Sequence, residues 1–144
     1  MISRDTGTGA VLERMVIPAL EGGGYSVQKR VGVGARLGGG KHIVDVLAEK
    51  DGRRLIVSLK WQQVSGTAEQ KVPFEVICLE DVLKTGVYDG AYVVLGGEGW
   101  KLRNFYTGGG LESYLRLSGK IRIITSSRLL PRLTGAACKR AHGI

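Results

Sequence analysis

Asp45 and Lys60 are the residues of this chain whose types and setting could do chemistry together. They stand in two short β-type runs, His42-Ile43-Val44-Asp45-Val46-Leu47 and Leu55-Ile56-Val57-Ser58-Leu59-Lys60. Gly38-Gly39-Gly40 leads into the first run, and Asp51-Gly52 makes a hairpin turn between them. Each run presents one polar group, the Asp45 carboxylate on the first and the Lys60 ammonium on the second. Side by side on adjacent strands, such a pair can hold one Mg2+ ion and one attacking water. The stretch continues past Gly66-Thr67 to two further acids, Glu69 and Glu75.

The elements that must position these groups can be traced by periodicity. Val11, Leu12, Met15, Val16, Ala19 and Leu20 recur at three- and four-residue spacing, which predicts a helix over residues 8–20 stopped by Gly22-Gly23-Gly24. Residues 25–33 alternate as a strand, and the two runs above predict strands at 42–48 and 54–60. Residues 68–84 carry Val72, Val76, Leu79, Val82 and Leu83 on one side, a helix that Pro73 should start or kink. The apolar run 90–95 predicts a buried strand ended by Gly96-Gly97. Residues 99–110 read as irregular and aromatic, 110–117 as a short helix and 120–125 as a strand, with Ser126 or Ser127 capping a last helix. The order αβββαβ(α)βα describes an α/β domain, a mixed central sheet flanked by helices, spanning residues 1–144 as one unit.

Composition narrows the partners. At 43% hydrophobic residues and near-zero mean hydropathy the chain is neither disordered nor membrane-spanning, and its longest apolar runs are strand-sized. With no basic-then-apolar leader, it reads as intracellular (cytoplasmic), not secreted. Cys78 and Cys138 have neither disulfide-framework nor metal spacing, and Cys78, among Val76, Ile77 and Leu79, reads as a buried hydrophobe. Against 13 acidic residues stand 21 basic ones, a net charge of +8 that favours a nucleic-acid partner. Lys29, Arg30, Arg36 and Lys41 flank the Asp45 strand, Arg53 and Arg54 sit on its hairpin, and Lys71 follows on the next helix. Arg128, Arg132, Lys139 and Arg140 form a second group, open to reading as a DNA contact or a solvated end. Phosphate-loop, nucleophile-elbow and zinc signatures are all missing.

The sequence α, β, β-Asp, β-x-Lys, α resembles the core of the PD-(D/E)xK nuclease superfamily, which includes restriction enzymes, homing endonucleases and junction resolvases. Asp45 matches the strand-end acid, Ser58-Leu59-Lys60 the motif on the next strand, and Glu13 the acid many members bring from the first helix. The resemblance covers residues 8–95 and implies an αβββαβ restriction-endonuclease-like core. It implies Asp45 as the central Mg2+ ligand (Mn2+ may stand in), Lys60 orienting or activating the water, and Glu13 completing the metal shell. The departure is Ser58, which stands where a second acid is expected. A subgroup of restriction enzymes carries Ser-x-Lys and moves the acid onto the following helix. Glu75 is the first candidate for that migrated acid and Glu69, nearer the turn and expected to be solvated, the second. Gln62, two residues past Lys60, is expected to bind phosphate or water.

The resemblance implies a metal-dependent endonuclease hydrolysing DNA, duplex or branched, of the phage or mobile-element restriction or homing type or a Holliday-junction resolvase. Cutting both strands needs two sites, hence an expected homodimer or larger symmetric assembly. The alternative is a nucleic-acid-binding module on the same fold without catalysis, motivated by Ser58, or a basic scaffold. Several residues carry a plainer reading too. Asp45 and Lys60 form a simple salt bridge, Glu13 faces solvent, and His42 satisfies a backbone group. Trp61 points to the opposite face and packs in the core. Trp100, Phe105 and Tyr106, interleaved with Lys101 and Arg103, either stack on bases or form a minor core.

Overall fold

A computed structural model describes the backbone of residues 2–129 and the side chains of residues 10–129. Arg132, Cys138, Lys139 and Arg140 lie outside the described residues. The elements run α1 (Ile2–Gly22), β1 (Ser26–Ala35), β2 (Lys41–Lys50), β3 (Arg53–Trp61), α2 (Ala68–Leu83), β4 (Gly90–Gly96), α3 (Arg103–Thr107), a 3-10 turn (Gly110–Ser113) and β5 (Ile121–Thr125). Residues 126–129 are helical. The strands form one sheet in the order β1-β2-β3-β4-β5. β2 is antiparallel to both of its neighbours, β1 and β3, while β4 and β5 run parallel to β3. This is the expected α/β architecture. The expected helix at 110–117 shortens to the 3-10 turn, because Gly108-Gly109-Gly110 favours no helix and Gly109 takes φ 83°. The stretch expected to be irregular instead holds α3. No helix among the described residues is long and apolar enough to cross a membrane.

Both faces of the sheet are covered, each by one apolar row. Leu12, Val16 and Leu20, successive turns of α1, are at most 1% exposed, and the last two pack with Val46, Ala48, Leu55, Val57 and Val94. Met15 was expected on that row and is half exposed, because position 15 lies beside the single stripe that meets the sheet. On the other face Val72, Val76, Leu79, Val82 and Leu83 of α2 pack with Val44, Leu47, Ile56, Val93 and Leu95. Burying a side chain of this size contributes about 1.5–3 kcal/mol, so these two rows fix the helices on the sheet. Cys78 is fully buried.

The β1–β2 ribbon changes faces part-way along. Tyr25 and Val27 pack with the α1 cluster, whereas Val31 and Val33 pack with the α2 cluster. In β2 the same switch separates Val46 and Ala48 from Val44. It occurs at Arg30, whose φ of 53° is left-handed, and at Asp45, which lies across from it. There β2 also leaves β3, since their ladder ends at Val46↔Val57 while β3 continues beside β4 to Trp61. The outer end of the ribbon therefore bends over α2, and a crevice lies between its turn residue Arg36, Lys60 of β3 and the first half of α2.

Helix α2 runs from Ala68 to Leu83, close to the expected 68–84, with Pro73 inside it and not at its start. Two contacts from outside the helix make this tolerable. Gln62 Oε1 accepts the Ala68 N–H at 3.0 Å, capping the helix where Thr67 makes no side-chain cap. Pro73 has no N–H to give to the carbonyl of Glu69, and the Tyr106 hydroxyl donates to that carbonyl at 2.6 Å instead. The segment after β3 is held by glycines after β4: Gly99 N–H donates to Gln62 O at 2.8 Å. Gly97, at φ 89°, has no room for a side chain, because a Cβ would stand 2.4 Å from Gln62 O. Gly97→Ala is therefore expected to cost about 3 kcal/mol, combining left-handed strain with displacement of this backbone. Urea unfolding would measure it, and a loss below about 0.5 kcal/mol would refute the close approach.

Candidate active site

The side chains gathered at the crevice and beside it come from four elements, with Asp45, His42 and Glu13 outside its lining. Alternation along β3 sends Leu59 into the α1 cluster and leaves Ser58 and Lys60 facing α2. Glu75, two residues after Pro73 on α2, reaches back to the sheet, where its Oε2 accepts the Ser58 hydroxyl at 3.0 Å. Its Oε1 lies 3.4 Å from Arg36 Nη2, and its Oε2 lies 3.6 Å from His42 Nε2. Arg36 and His42 both arrive on the ribbon that bends over α2. Asp45 sits where β2 and β3 part, and its Oδ2 accepts the Leu59 N–H at 2.7 Å, replacing the lost ladder bond. Glu13 of α1 lies close enough for its charge to act on Asp45, and it pairs at 3.9 Å with the exposed Arg30.

Electrostatics set the two acids apart. Burial pushes Asp45 up from the ordinary carboxylate range, and the Glu75 and Glu13 charges add to this, outweighing the Leu59 N–H and Lys60. Burial also pushes Glu75 up, but Lys60, His42, the Ser58 hydroxyl and Arg36 together hold it below its ordinary value. Glu75 is thus a fixed anion. The ionised form of Asp45 is short of positive charge, and a cation would relieve it.

The sign of the pH effect follows from these directions. The folded state holds the Asp45 proton more tightly than the unfolded chain, so ionisation costs stability as pH rises through the raised pKa. Glu75 behaves oppositely, contributing stability above its ordinary pKa that is lost as pH falls through the depressed one. Asp45→Asn keeps an acceptor for Leu59 N–H and removes the unpaid charge. It is expected to raise the melting midpoint of the metal-free protein at pH 7 by about 2–4 °C and to remove the further rise on adding Mg2+ or Mn2+. A lower midpoint, or a metal-induced rise that persists, would contradict this assignment.

The donor set suits a hard divalent cation: Asp45 keeps Oδ1 free of the Leu59 contact, and carboxylates are the ligands such ions take. Among the described residues, no three His, Cys, Asp or Glu side chains are grouped tightly enough to enclose an ion. Protein ligands would therefore be few, with water and phosphate oxygens completing the shell, the usual manner for Mg2+.

Other expected site residues lie elsewhere. Gln62 is not available to phosphate or water, because its Nε2 donates to Glu69 Oε2 at 3.1 Å and Gly99 O at 2.8 Å while its Oε1 caps α2. Glu69, expected in solvent, is 8% exposed and accepts from Gln62 and from the Lys101 N–H. Both residues anchor the end of α2 that carries Glu75. Of the basic group, Arg36 and Lys71 line the crevice, while Lys29 and Lys41 are exposed on the ribbon. Arg53 and Arg54 stand at the far end of β3, roughly 20 Å from Lys60 at strand spacing. Arg54 is also committed to Glu49 at 2.6 Å and to the Tyr88 ring at 4.8 Å.

Trp61 is half-buried beside Leu12 of α1, on the face opposite Lys60. Trp100 and Tyr106 belong to the core, with Trp100 Nε1 donating to Gly96 O at 2.7 Å, whereas Phe105 is exposed. His42 departs from expectation: it is fully buried beside Glu75, and neither ring nitrogen has a hydrogen-bond partner. Sequence reasoning also passed over Phe74, 46% exposed on α2 at the rim of the crevice. An apolar residue off the Val72–Val76–Leu79 stripe was the available signal.

No curated protein matches the chain. A crystal structure described as a protein of unknown function, AF1548, aligns with a TM-score of 0.53 at 18% identity. The alignment covers 87% of this chain and 64% of that one, a likeness of fold in which this chain spans less than two thirds of the other's length. The PD-(D/E)XK nuclease superfamily domain matches residues 4–105, a span that holds Glu13, Asp45, Ser58, Lys60 and Glu75. With the sheet order, the divided strands and this match in agreement, the chain belongs to the PD-(D/E)XK nuclease superfamily, a family of nuclease-type function.

Proposed function

We propose that this chain is a single-domain, Mg2+-dependent DNA endonuclease that hydrolyses phosphodiester bonds, with Mn2+ able to substitute. A nuclease domain implies a nucleic-acid substrate, and nucleases of this superfamily generally use divalent metals. The observation that carries the finer reading is the return of Glu75 to the β3 position left without an acid, 3.0 Å from the Ser58 hydroxyl and over the same crevice as Lys60. Asp45 and Glu75, with Glu13 directly or through water, would hold the ion. When bound, it neutralises the scissile phosphate and lowers the pKa of attacking water. Lys60 orients that water and offsets charge gathering on the phosphate. Arg36 and His42 keep Glu75 ionised and in place. Arg36 and Lys71 give the crevice the sign that draws a polyanion. Cleavage of both strands of a duplex takes two such sites, so the active form is a homodimer or larger symmetric assembly.

A binding module without catalysis is the second reading. Ser58, a neutral side chain at the place on β3 where an acid is expected, favours it. Supercoiled plasmid and branched DNA, incubated with Mg2+, Mn2+ or EDTA, separate the two. Metal-dependent nicking or linearisation, lost in EDTA, is the expected result. A mobility shift without cleavage in either metal would transfer the assignment to the binding module.

A further inference from the structure

The crevice holds more than Lys60 and Glu75. Its volume is about 470 Å³, within the roughly 300–1,000 Å³ of sites that enclose a small-molecule-sized group. Arg36, Lys60, Thr67, Gln70, Lys71, Phe74 and Glu75 line it, three cations against one anion. Phe74 is 46% exposed although it is one residue from buried Glu75, and the Arg36 guanidinium carbon lies 5.4 Å from its ring centroid. Arg36 is held there by Glu75 at 3.4 Å, so its position over the ring is fixed before any ligand arrives. A partly exposed aromatic ring, a guanidinium oriented over it and flanking ammonium groups form a platform for one flat heterocycle joined to phosphate.

We propose that Phe74 and Arg36 stack an unpaired base next to the scissile phosphate, making the preferred substrate single-stranded or branched DNA. The proposal rests on Lys60 and Glu75 marking where the phosphate lies. A base inside a regular duplex has both faces covered by its neighbours, and presenting one to Phe74 requires unstacking it. At a flap, gap or junction the base is already free, so the same contact forms without that cost. Stacking reads the flat face common to all bases and selects DNA structure without selecting sequence.

The test measures binding in EDTA, where no cleavage occurs. Fluorescence anisotropy would compare a labelled single-stranded oligonucleotide with a blunt duplex of the same sequence, using the wild-type, Phe74→Ala and Phe74→Tyr proteins. The wild type should favour the single strand. Phe74→Ala should reduce that preference about 10-fold, from the stacking lost per base, and Phe74→Tyr should restore most of it. Phe74 is exposed, and circular dichroism would verify that each variant is folded. Equal losses on both substrates, or an unchanged preference, would overturn the stacking platform. Normal preference without cleavage in any metal would instead remove the nuclease reading and leave the platform standing.

Discussion

Lys60→Ala is expected to reduce single-turnover cleavage by about 10³-fold or more at saturating metal, within the range for loss of a positioned catalytic group. Folding should survive. Lys60 is half-buried at the open end of β3, outside both apolar rows, and makes no ladder contact through its side chain. Its charge acts on both acids, lowering Asp45 and Glu75. Removing it lets both pKa values rise, so residual activity should need a higher pH than in the wild type. Lys60→Arg distinguishes chemistry from simple pairing. It keeps the charge but replaces a compact ammonium with a planar fork, and an ordinary salt bridge would accept that change while a water-orienting group would not. A Lys60→Ala protein that cuts normally with metal would end the mechanism proposed here. One that also loses its cooperative melt would show Lys60 to be structural.

Glu75→Gln is the second large effect, a fall in cleavage on the order of 100-fold. Glutamine can still accept the Ser58 hydroxyl, so the side chain stays in place and the charge alone is removed. The measurement belongs at saturating Mg2+, where weakened ion affinity is separated from lost chemistry. Ser58 allows a sharper test. Its hydroxyl is 3.0 Å from Glu75, so Ser58→Asp by itself sets two anions in contact and is expected to lower both stability and activity. Combined with Glu75→Gln, the same change returns the acid to the strand and should recover at least about 10-fold of the lost rate. Without that recovery, and with Glu75→Gln cutting normally, the idea that the acid moved from strand to helix fails.

Much of this fold was legible because it depends on local pattern. The rows on α1 and α2, the apolar run of β4 and the Asp51-Gly52 turn follow from residue spacing, and they bring Asp45 and Lys60 onto adjacent strands. The order of chemical groups along the chain, with Ser58 in an acid's place and Glu75 on the next helix, was legible too. Decisions that depend on distant partners were not. Whether a helix crosses Pro73 depended on a tyrosine far along the chain, Tyr106, reaching the carbonyl of Glu69. Whether Gln62 and Glu69 met substrate or each other depended on the approach of the glycines after β4, which turned both into supports for α2. Arg53 and Arg54 looked close to Lys60 in sequence, yet a strand rises about 3.3 Å per residue and carried them to the far edge. The largest tertiary decision was the bend of the β1–β2 ribbon at Arg30 and Asp45. It parts β2 from β3, opens the crevice, and delivers Arg36 and His42 onto Glu75. No local spacing announces that bend, because a strand changes faces only when the surfaces on both sides of the sheet compete for its side chains.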